Sequence, residues 1–183
     1  MIHSASCPQL LVPFGDDPAA APFHLEATAQ REGASLQLRY DLRGPLERLR
    51  LPPPAPTPEQ RRDGLWQGTC FEAFVAEAGA EGYRELNLSP AGHWNLYRLD
   101  GYRRGLRPDP LVQALPFQRT RAADHLQLVL TLDLTPLDLA QAPLELALTT
   151  VLQHGDGSCS FLALTHPGAE ADFHLREGFL LRL

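Results

Sequence analysis

The sequence contains no lysine, so all sixteen of its Lys and Arg positions are arginine. Against these stand 22 acidic residues, which give a net charge of −6 at pH 7. Proteins that bind nucleic acid usually present a basic patch to the phosphate backbone. The negative balance therefore argues against a nucleic-acid partner. Because Ala, Leu and Pro are abundant, we interpret the arginine preference as a compositional bias.

Cysteine is scarce as well, with only Cys7, Cys70 and Cys159 in the chain. An odd number without a repeating spacing argues against a disulfide framework. No two of them stand in the Cys-x-x-Cys arrangement of a zinc or redox site. Cys70 neighbours Glu72 rather than a basic residue, so we interpret it as a buried structural residue and not as a nucleophile.

Long apolar runs are missing too. The first ten residues, MIHSASCPQL, lack the basic and apolar regions of a signal peptide. No stretch approaches the roughly 20 apolar residues of a membrane span. From these features we expect a cytoplasmic protein without a membrane partner.

Apolar and polar residues alternate along much of the chain. The 183 residues suit one domain, 1–183, with a full hydrophobic core. Period-two segments recur at regular spacing, and no long helical pattern interrupts them. The candidate strands lie within 22–30, 34–42, 45–52, 68–77, 83–103, 111–120, 125–134, 143–153, 158–166 and 178–183. This arrangement predicts an all-β, antiparallel sandwich of about ten strands.

The proline-rich stretch 52–64 interrupts this pattern. Its prolines favour polyproline II, which predicts a stiff internal surface loop or, alternatively, a Pro-x-x-P ligand. Thr57, Pro58 and Gln60 fit an N-cap, a first helical residue and a capping-box partner, so we expect a helical turn over 58–63. A second short helical turn is expected within 136–140.

The segment YRELNLSPAGHWNLYRLDGYR, residues 83–103, reads as a hairpin. Pro90 suits the second position of a type I turn, and Gly92 suits the left-handed position that follows. The resulting three-residue loop with a G1 bulge fixes a register. It pairs Glu85 with Tyr97, Leu86 with Leu96, Asn87 with Asn95, Leu88 with Trp94 and Ser89 with His93.

This register separates two faces of the hairpin. Leu86, Leu88, Trp94 and Leu96 form an apolar face, which we expect in the core. The opposite face carries polar and aromatic residues, and Glu72 of the preceding strand joins it. The face either binds a ligand or is the solvated exterior of the sandwich. Asparagine is poor in strands, so a facing pair of asparagines favours a site. The residues concerned are Glu72, Glu85, Asn87, Asn95 and Tyr97.

Three segments together resemble a known family. RRDGLWQGTCFEAFVAE (61–77), the hairpin 83–103 and LALTHPGAEADFHLREGFLLRL (162–183) are similar to bacterial DOMON-like proteins related to carbohydrate-binding module family nine. The resemblance implies an immunoglobulin-like β-sandwich that is a non-enzymatic binding module. Relatives bind sugars or, in some branches, haem through Met and His. Met1 is the only methionine, which argues against that haem ligation, and we expect no cofactor.

The resemblance also bears on the candidate site. Trp66, Glu72, Glu85 and Asn87 lie in the matching segments, and Asp172, Phe173 and His174 lie in the C-terminal match. The hypothesis is that a small polar ligand, a sugar in the first instance, stacks on an aromatic ring and binds to polar side chains. The ligand-binding residues that we predict are Trp66, Glu72, Glu85, Asn87, Asn95, Tyr97 and His174.

Several alternatives stay open at this point. Glu72 and Glu85 could form the carboxylate pair of a glycoside-active enzyme. A protein-interaction module could use a sheet edge or the proline-rich loop. Arg98, Arg103 and Arg104 could bind an anionic group, although a solvated strand end explains them as well.

Metal binding has little support in the sequence. His166 and His174 do not have the spacing of a zinc signature. Residues 154–157, His-Gly-Asp-Gly, could bind calcium through Asp156, but they read more simply as a hairpin turn.

Overall fold

The structure is a computed structural model that describes residues 7–53 and 60–183. In these residues the chain forms thirteen strands and four short 3₁₀ turns, without an α-helix. The strands are β1 (Gln9–Leu10), β2 (Val12–Pro13), β3 (His24–Glu32), β4 (Ser35–Arg43), β5 (Cys70–Glu77), β6 (Tyr83–Leu88), β7 (Trp94–Leu99), β8 (Arg107–Pro108), β9 (Phe117–Arg121), β10 (His125–Asp133), β11 (Leu144–Gln153), β12 (Cys159–Ala163) and β13 (Leu181–Arg182). The turns are Leu46–Arg48, Leu65–Gln67, Thr135–Leu137 and Arg176–Gly178.

The strands form two antiparallel sheets. The five-stranded sheet has the order β1-β3-β4-β10-β9, and the eight-stranded sheet has the order β2-β12-β11-β5-β6-β7-β8, with β13 also paired to β11. The main hydrophobic cluster takes side chains from both sheets. The predicted all-β antiparallel sandwich is therefore confirmed.

Alternation along the strands explains why the sheets pack face to face. On β10, Leu126, Leu128, Leu130 and Leu132 are all buried, and the residues between them are less so. Burial of each such side chain contributes roughly 1.5–3 kcal/mol. Tyr40 on β4 adds a polar link between the sheets, because its hydroxyl donates a hydrogen bond to the backbone carbonyl of Glu72 on β5.

One predicted strand is wrong. Residues 45–52 do not form a strand: the backbone amide of Arg48 donates to the carbonyl of Pro45 at 2.9 Å and closes a 3₁₀ turn. The turn buries Leu46 and Leu49, three residues apart, which a strand could not place on one face. Candidate segment 111–120 is also shorter as a strand, since pairing begins only at Phe117.

The helical turn predicted over 58–63 can be checked only at 60–63, because residues 54–59 lie outside the described residues. At 60–63 the prediction is wrong. Arg61 is extended and forms a parallel bridge with Trp94. The amide of Arg62 donates to the Trp94 carbonyl at 2.9 Å, and the Trp94 amide donates to Gln60 at 3.1 Å. Pairing with the exposed edge of β7 therefore replaces the helical turn. The turn predicted near 136–140 is present as Thr135–Leu137.

No helix in the described ranges is long and apolar enough to cross a lipid bilayer.

The register predicted for the β6–β7 hairpin is confirmed. Glu85 pairs with Tyr97, Leu86 with Leu96, Asn87 with Asn95 and Leu88 with Trp94. The turn is closed by the Gly92 amide, which donates to the Ser89 carbonyl at 2.9 Å. Leu86, Leu88, Trp94 and Leu96 all belong to the core between the sheets.

Gly92 is the residue on which this turn depends. Its φ of +104° lies in a region that L-residues rarely adopt. A Cβ built there would lie 2.5 Å from Nη1 of Arg119, which reaches across from β9 and donates to the carbonyl of Ala91. Another residue would be strained at this φ and would push the guanidinium of Arg119 aside. The hydrogen bond from Arg119 to Ala91 ties the two sheets together at this end.

We predict that Gly92→Ala lowers the free energy of unfolding by more than about 2 kcal/mol, because backbone strain and the displaced Arg119 both contribute. Gly79→Ala is the matched control, since Gly79 has φ +80° but open space around its Cα. It should cost about 1 kcal/mol for strain alone. Urea unfolding measures both, and equal losses would contradict the proposed contact with Arg119.

Candidate functional site

The polar face of the hairpin is buried, although it points away from the core between the sheets. The register aligns Thr149, Glu72, Asn87 and Asn95 in one row across β11, β5, β6 and β7. Relative exposure is 3% for Glu72 and 0% for Asn87 and Asn95. The interpretation of this face as a solvated exterior is therefore wrong.

Three segments outside the sheet cover this face: the 3₁₀ turn Leu65–Gln67, the loop 100–106 and the C-terminal segment 164–180. Phe179 of the C-terminal segment is buried against Phe74 and Tyr83, with ring centroids 5.8 and 5.6 Å away. These residues belong to a second hydrophobic cluster, separate from the main core. The C-terminal segment is thus held on the sheet by its own small core.

A pocket of about 290 Å³ remains between the sheet and this cover. We call it the outer-face pocket. Its volume is close to the lower end of the range of roughly 300–1,000 Å³ for small-molecule sites. The side chains that matter most for its chemistry are Trp66, Glu72, Glu85, Phe161, Phe173 and His174.

The row of residues Thr149, Glu72 and Asn87 lies beneath the pocket, and we call it the floor; of the three, Glu72 lines the pocket itself. Oε1 of Glu72, Oδ1 of Asn87 and Oγ1 of Thr149 are buried and have no partner in hydrogen-bond geometry, although Thr149 and Cys70 lie near enough to Glu72 to lower its pKa. Glu72 lies opposite both of the others in the sheet. Buried polar atoms are almost always paired, so three neighbouring exceptions call for a reason. Ligand hydroxyl or amine groups would satisfy them.

Burial also changes the acidity of both carboxyl groups. Burial, with a further contribution from the charge of Glu85, raises the pKa of Glu72 well above its usual range. Burial raises the pKa of Glu85 too, although a hydrogen bond from Asn87 Nδ2 to Glu85 Oε1, at 2.9 Å, opposes the rise. The two carboxyls thus share a poorly solvated space and disfavour each other's ionisation.

His174 stands beside Glu85 as a neutral ring. Burial, and then the charge of Arg103, lower the pKa of His174 to about 4. Tyr83 Oη lies 2.7 Å from His174 Nδ1 and already accepts the amide of Arg103. The Tyr83 hydroxyl is therefore free to donate to Nδ1, which leaves the ring proton on Nε2. That nitrogen lies 3.9 Å from Glu85 Oε2, so it faces the carboxyl as a weak polar contact.

Among the described residues, Arg103 is the only arginine that lines this pocket. Its Nη2 donates to Oδ1 of Asp172 at 2.8 Å, and the Tyr102 hydroxyl donates to Oδ2 of the same carboxylate at 2.5 Å. Arg103 also has a left-handed backbone, with φ +49°. Its charge is thus already matched by Asp172, while Arg104 pairs with Glu81 at 3.0 Å.

Apolar side chains surround the mouth of the pocket. Trp66 and Phe161 are 37% and 38% exposed, and Leu106 is exposed beside them. The ring of Trp66 is held edge-on to Tyr97, and that of Phe161 edge-on to Phe173. Large exposed aromatic rings at a pocket mouth offer flat surfaces on which a ligand ring can stack.

Four of the seven predicted ligand-binding residues line the pocket: Trp66, Glu72, Glu85 and His174. Asn87 does not line it, but it is buried beside Glu72 and donates to Glu85 Oε1 at 2.9 Å. Sequence reasoning missed Phe161, which lines the pocket, and Thr149, which pairs with Glu72. The alternation of β11 and β12 could have assigned their faces, but only the strand order brings them to this part of the sheet.

Asn95 and Tyr97 do not line the pocket, because their polar groups are used within the protein. Asn95 Oδ1 accepts from Arg61 Nη1 and from the Leu96 amide, both at 2.9 Å. Asn95 Nδ2 and the Tyr97 hydroxyl each donate to Oδ1 of Asp63 at 2.8 Å. Arg61 also stacks over Trp94, 4.5 Å from its ring centroid. These residues hold segment 61–63 against the sheet.

The other candidate sites have structural explanations. The turn 154–157 joins β11 to β12 as predicted, and Asp156 Oδ1 accepts hydrogen bonds from Ser158 at 2.9 and 2.7 Å. Cys70 is buried, and burial raises the pKa of its thiol, as expected for an unreactive residue. The described residues contain no cluster of three or more His, Cys, Asp or Glu side chains that could hold a metal ion.

Comparison with known proteins adds information on the fold. No protein-family model and no curated protein matches this sequence. A solved structure from Bacteroides uniformis ATCC 8492, described as a "putative carbohydrate-binding protein", is 13% identical with a TM-score of 0.72, over 96% of this chain and 84% of that one. A carbohydrate binding module family 9 from Caldicellulosiruptor kristjanssonii, in complex with cellotriose, is 9% identical with a TM-score of 0.57, over 96% and 80%. At these identities the similarity establishes a shared fold.

We predict that Asn95→Ala lowers the free energy of unfolding by about 2–4 kcal/mol, because it removes four hydrogen bonds of a buried side chain, with Arg61, Arg62, Asp63 and Leu96. Asn87→Ala is the matched control on the opposite strand. It removes one hydrogen bond and an unpaired oxygen, so it should cost at most about 1 kcal/mol. Urea unfolding measures both losses of unfolding free energy. A larger loss for Asn87→Ala than for Asn95→Ala would contradict the structural role given to Asn95.

A second prediction concerns pH. An unfolded glutamate ionises at about pH 4.3, whereas folding keeps Glu72 protonated to higher pH. The folded state then holds more protons, so stability falls as pH rises above about 4.3 until the folded-state pKa is passed. Glu72→Gln has no ionisable group at this position, so its stability does not fall in this way as pH rises. Its melting temperature should exceed that of the wild type by a margin that grows as pH rises above about 4.3, by roughly 2–4 °C for each 1 kcal/mol.

Glu81→Gln is the control for this comparison, because Glu81 is exposed and lies outside the pocket. Its melting temperature should follow that of the wild type across the same pH series. A difference between Glu72→Gln and wild type that does not change with pH would show that Glu72 ionises normally in the folded protein.

Proposed function

We propose that this chain is a non-enzymatic module that binds a carbohydrate in the outer-face pocket. One observation carries the proposal: Glu72, a buried carboxyl whose Oε1 is unpaired, lines a pocket together with exposed aromatic rings. A sugar ring has both kinds of surface, hydroxyl groups at its edge and C–H groups on its faces. The pocket offers a partner for each.

The hydrogen-bonding chemistry of the floor fits hydroxyl groups. Oδ1 of Asn87 and an ionised Glu72 can only accept, whereas the Thr149 hydroxyl can both donate and accept. A hydroxyl group has the same double capacity, so adjacent hydroxyls on one ring can satisfy several of these atoms together. The exposed rings of Trp66 and Phe161 would then contact the apolar faces of the sugar.

The fold comparison supports this proposal without settling the ligand. The family 9 module of similar fold has cellotriose bound, which makes a β-linked glucose oligomer the natural first probe. That protein is only 9% identical to this chain, so its sugar contacts are not transferred residue by residue. The argument for this chain rests on its own pocket.

A second candidate function is glycoside hydrolysis by Glu72 and Glu85. It is favoured by the fact that both carboxyls line the same pocket and have raised pKa values. Hydrolases usually separate the pKa values of the pair, so that one group is an acid while the other is ionised. Here burial moves both in the same direction, which favours binding. Release of glucose from cellotriose, abolished by Glu85→Gln, would instead establish the enzyme.

We predict that Trp66→Ala and Phe161→Ala each weaken the binding of cellotriose by about tenfold, since each removes about 1–1.5 kcal/mol of ring contact. Isothermal titration calorimetry measures the effect. Leu111→Ala is the control, because Leu111 is equally exposed but does not line the pocket. A glycan array without any bound sugar at millimolar concentration, or affinities that neither aromatic substitution changes, would contradict the proposal.

A further inference from the structure

Glu72 is a buried carboxyl without a counter-ion. Its side chain is turned to the outer-face pocket, and Oε1 has no hydrogen-bond partner. Among the described residues, no arginine or histidine forms an ion pair with it. Glutamate is almost never fully buried unless it is paired, because removing its charge from water is costly. The protein itself therefore leaves this carboxyl incomplete.

The rest of the pocket does not supply the missing positive charge. The guanidinium of Arg103 is bonded to Asp172 at 2.8 Å. Nδ1 of His174 accepts a hydrogen bond from the Tyr83 hydroxyl, and Nε2 of the neutral ring faces Glu85. Arg103 and Asp172 neutralise each other, so among the described residues no positive group is left for Glu72 and Glu85. A cationic ligand would supply the charge that lets Glu72 ionise.

Aromatic rings around the carboxyl reinforce this preference. Phe74 follows Glu72 by two residues on the same face of β5, and Trp66, Phe161 and Phe173 line the walls. The faces of aromatic rings carry partial negative charge and attract ammonium groups. A carboxylate at the base of a pocket with aromatic walls is an arrangement suited to a protonated amine.

We propose that the ligand of this pocket is an amino sugar with a free amine, whose ammonium group binds Glu72. The inference rests on the proposed carbohydrate-binding function and specifies its substrate class. The ammonium would donate to Glu72 Oε1, an unpaired buried oxygen of a residue that lines the pocket. Hydroxyl groups of the same ring remain available to Glu85 and His174.

Proton exchange gives this proposal a distinct signature. An ammonium favours the ionised form of Glu72, so binding releases a proton wherever the free carboxyl is still protonated. Affinity therefore rises with pH until the amine of the ligand itself loses its proton. Glu85 shares the pocket and also has a raised pKa, so it contributes to the proton release wherever it is still protonated. The other titratable groups around Glu72 are expected to keep their states: Cys70 and Tyr40 protonated through burial, His174 neutral, and Arg103 with Asp172 ionised.

The test compares three β-1,4-linked trimers by isothermal titration calorimetry: cellotriose, the glucosamine trimer and the N-acetylglucosamine trimer. They share one backbone and differ at a single substituent of each ring, which is a hydroxyl, an ammonium or an acetamide. We expect the glucosamine trimer to bind about tenfold or more tightly than the other two. Titration in buffers of different ionisation enthalpy should show proton release for this trimer alone.

Glu72→Gln is the diagnostic variant, since it keeps the size and removes the charge. It should abolish the preference, so that this variant binds the glucosamine trimer and cellotriose with affinities within about threefold of each other. Glu81→Gln removes one negative charge outside the pocket and should preserve the tenfold preference. Melting temperatures and circular dichroism confirm that both variants are folded.

The outcomes separate the inference from the proposed function. Equal or tighter binding of cellotriose overturns the amine inference and leaves carbohydrate binding intact. A preference for the glucosamine trimer that survives Glu72→Gln also overturns it, because the amine then binds elsewhere. Failure of all three trimers, with a glycan array that is also negative, overturns both. A preference that Glu72→Gln abolishes and Glu81→Gln retains supports both.

Discussion

The conformation of Gly92 is the constraint on which the rest of the site depends. Its positive φ closes the loop between β6 and β7 in one register, and a slip of one residue would exchange the two faces of the hairpin. With this register, Leu88 and Trp94 enter the core, and Asn87 meets Glu72 on the opposite side. A local backbone requirement thereby determines which side chains can reach a ligand.

The polar side of the sheet is built from two networks with different purposes. Around Asn95, every polar group has a partner, and the network holds segment 61–63 to the edge of β7. Around Glu72, partners are missing and the carboxyl is difficult to ionise. Fully paired buried networks stabilise a fold, whereas incomplete ones weaken it. This contrast within one sheet face is the physical basis of the proposed ligand site, in line with the usual conflict between stability and function.

Much of this could be predicted from the sequence, and the failures have physical causes. The β3–β4 and β6–β7 hairpins follow from alternation and turn residues, which act over a few positions. Residues 45–52 also alternate, yet Pro45 and the spacing of Leu46 and Leu49 favour a 3₁₀ turn. For the site, Asn87 and Asn95 look equivalent in the sequence. Only the approach of Arg61 and Asp63, more than thirty residues earlier, separates the structural asparagine from the one with an unpaired oxygen.

The sequence by itself determined the sandwich, the hairpin register and the sorting of core from polar side chains, because short-range periodicity and backbone geometry decide these features. Tertiary structure alone decided that the polar face is covered. The packing of Phe179 on Phe74 and Tyr83 brings the C-terminal segment over the sheet, and the strand order sets Phe161 and Thr149 beside Glu72. No local pattern encodes these contacts, since they join segments about a hundred residues apart through non-directional burial of apolar surface.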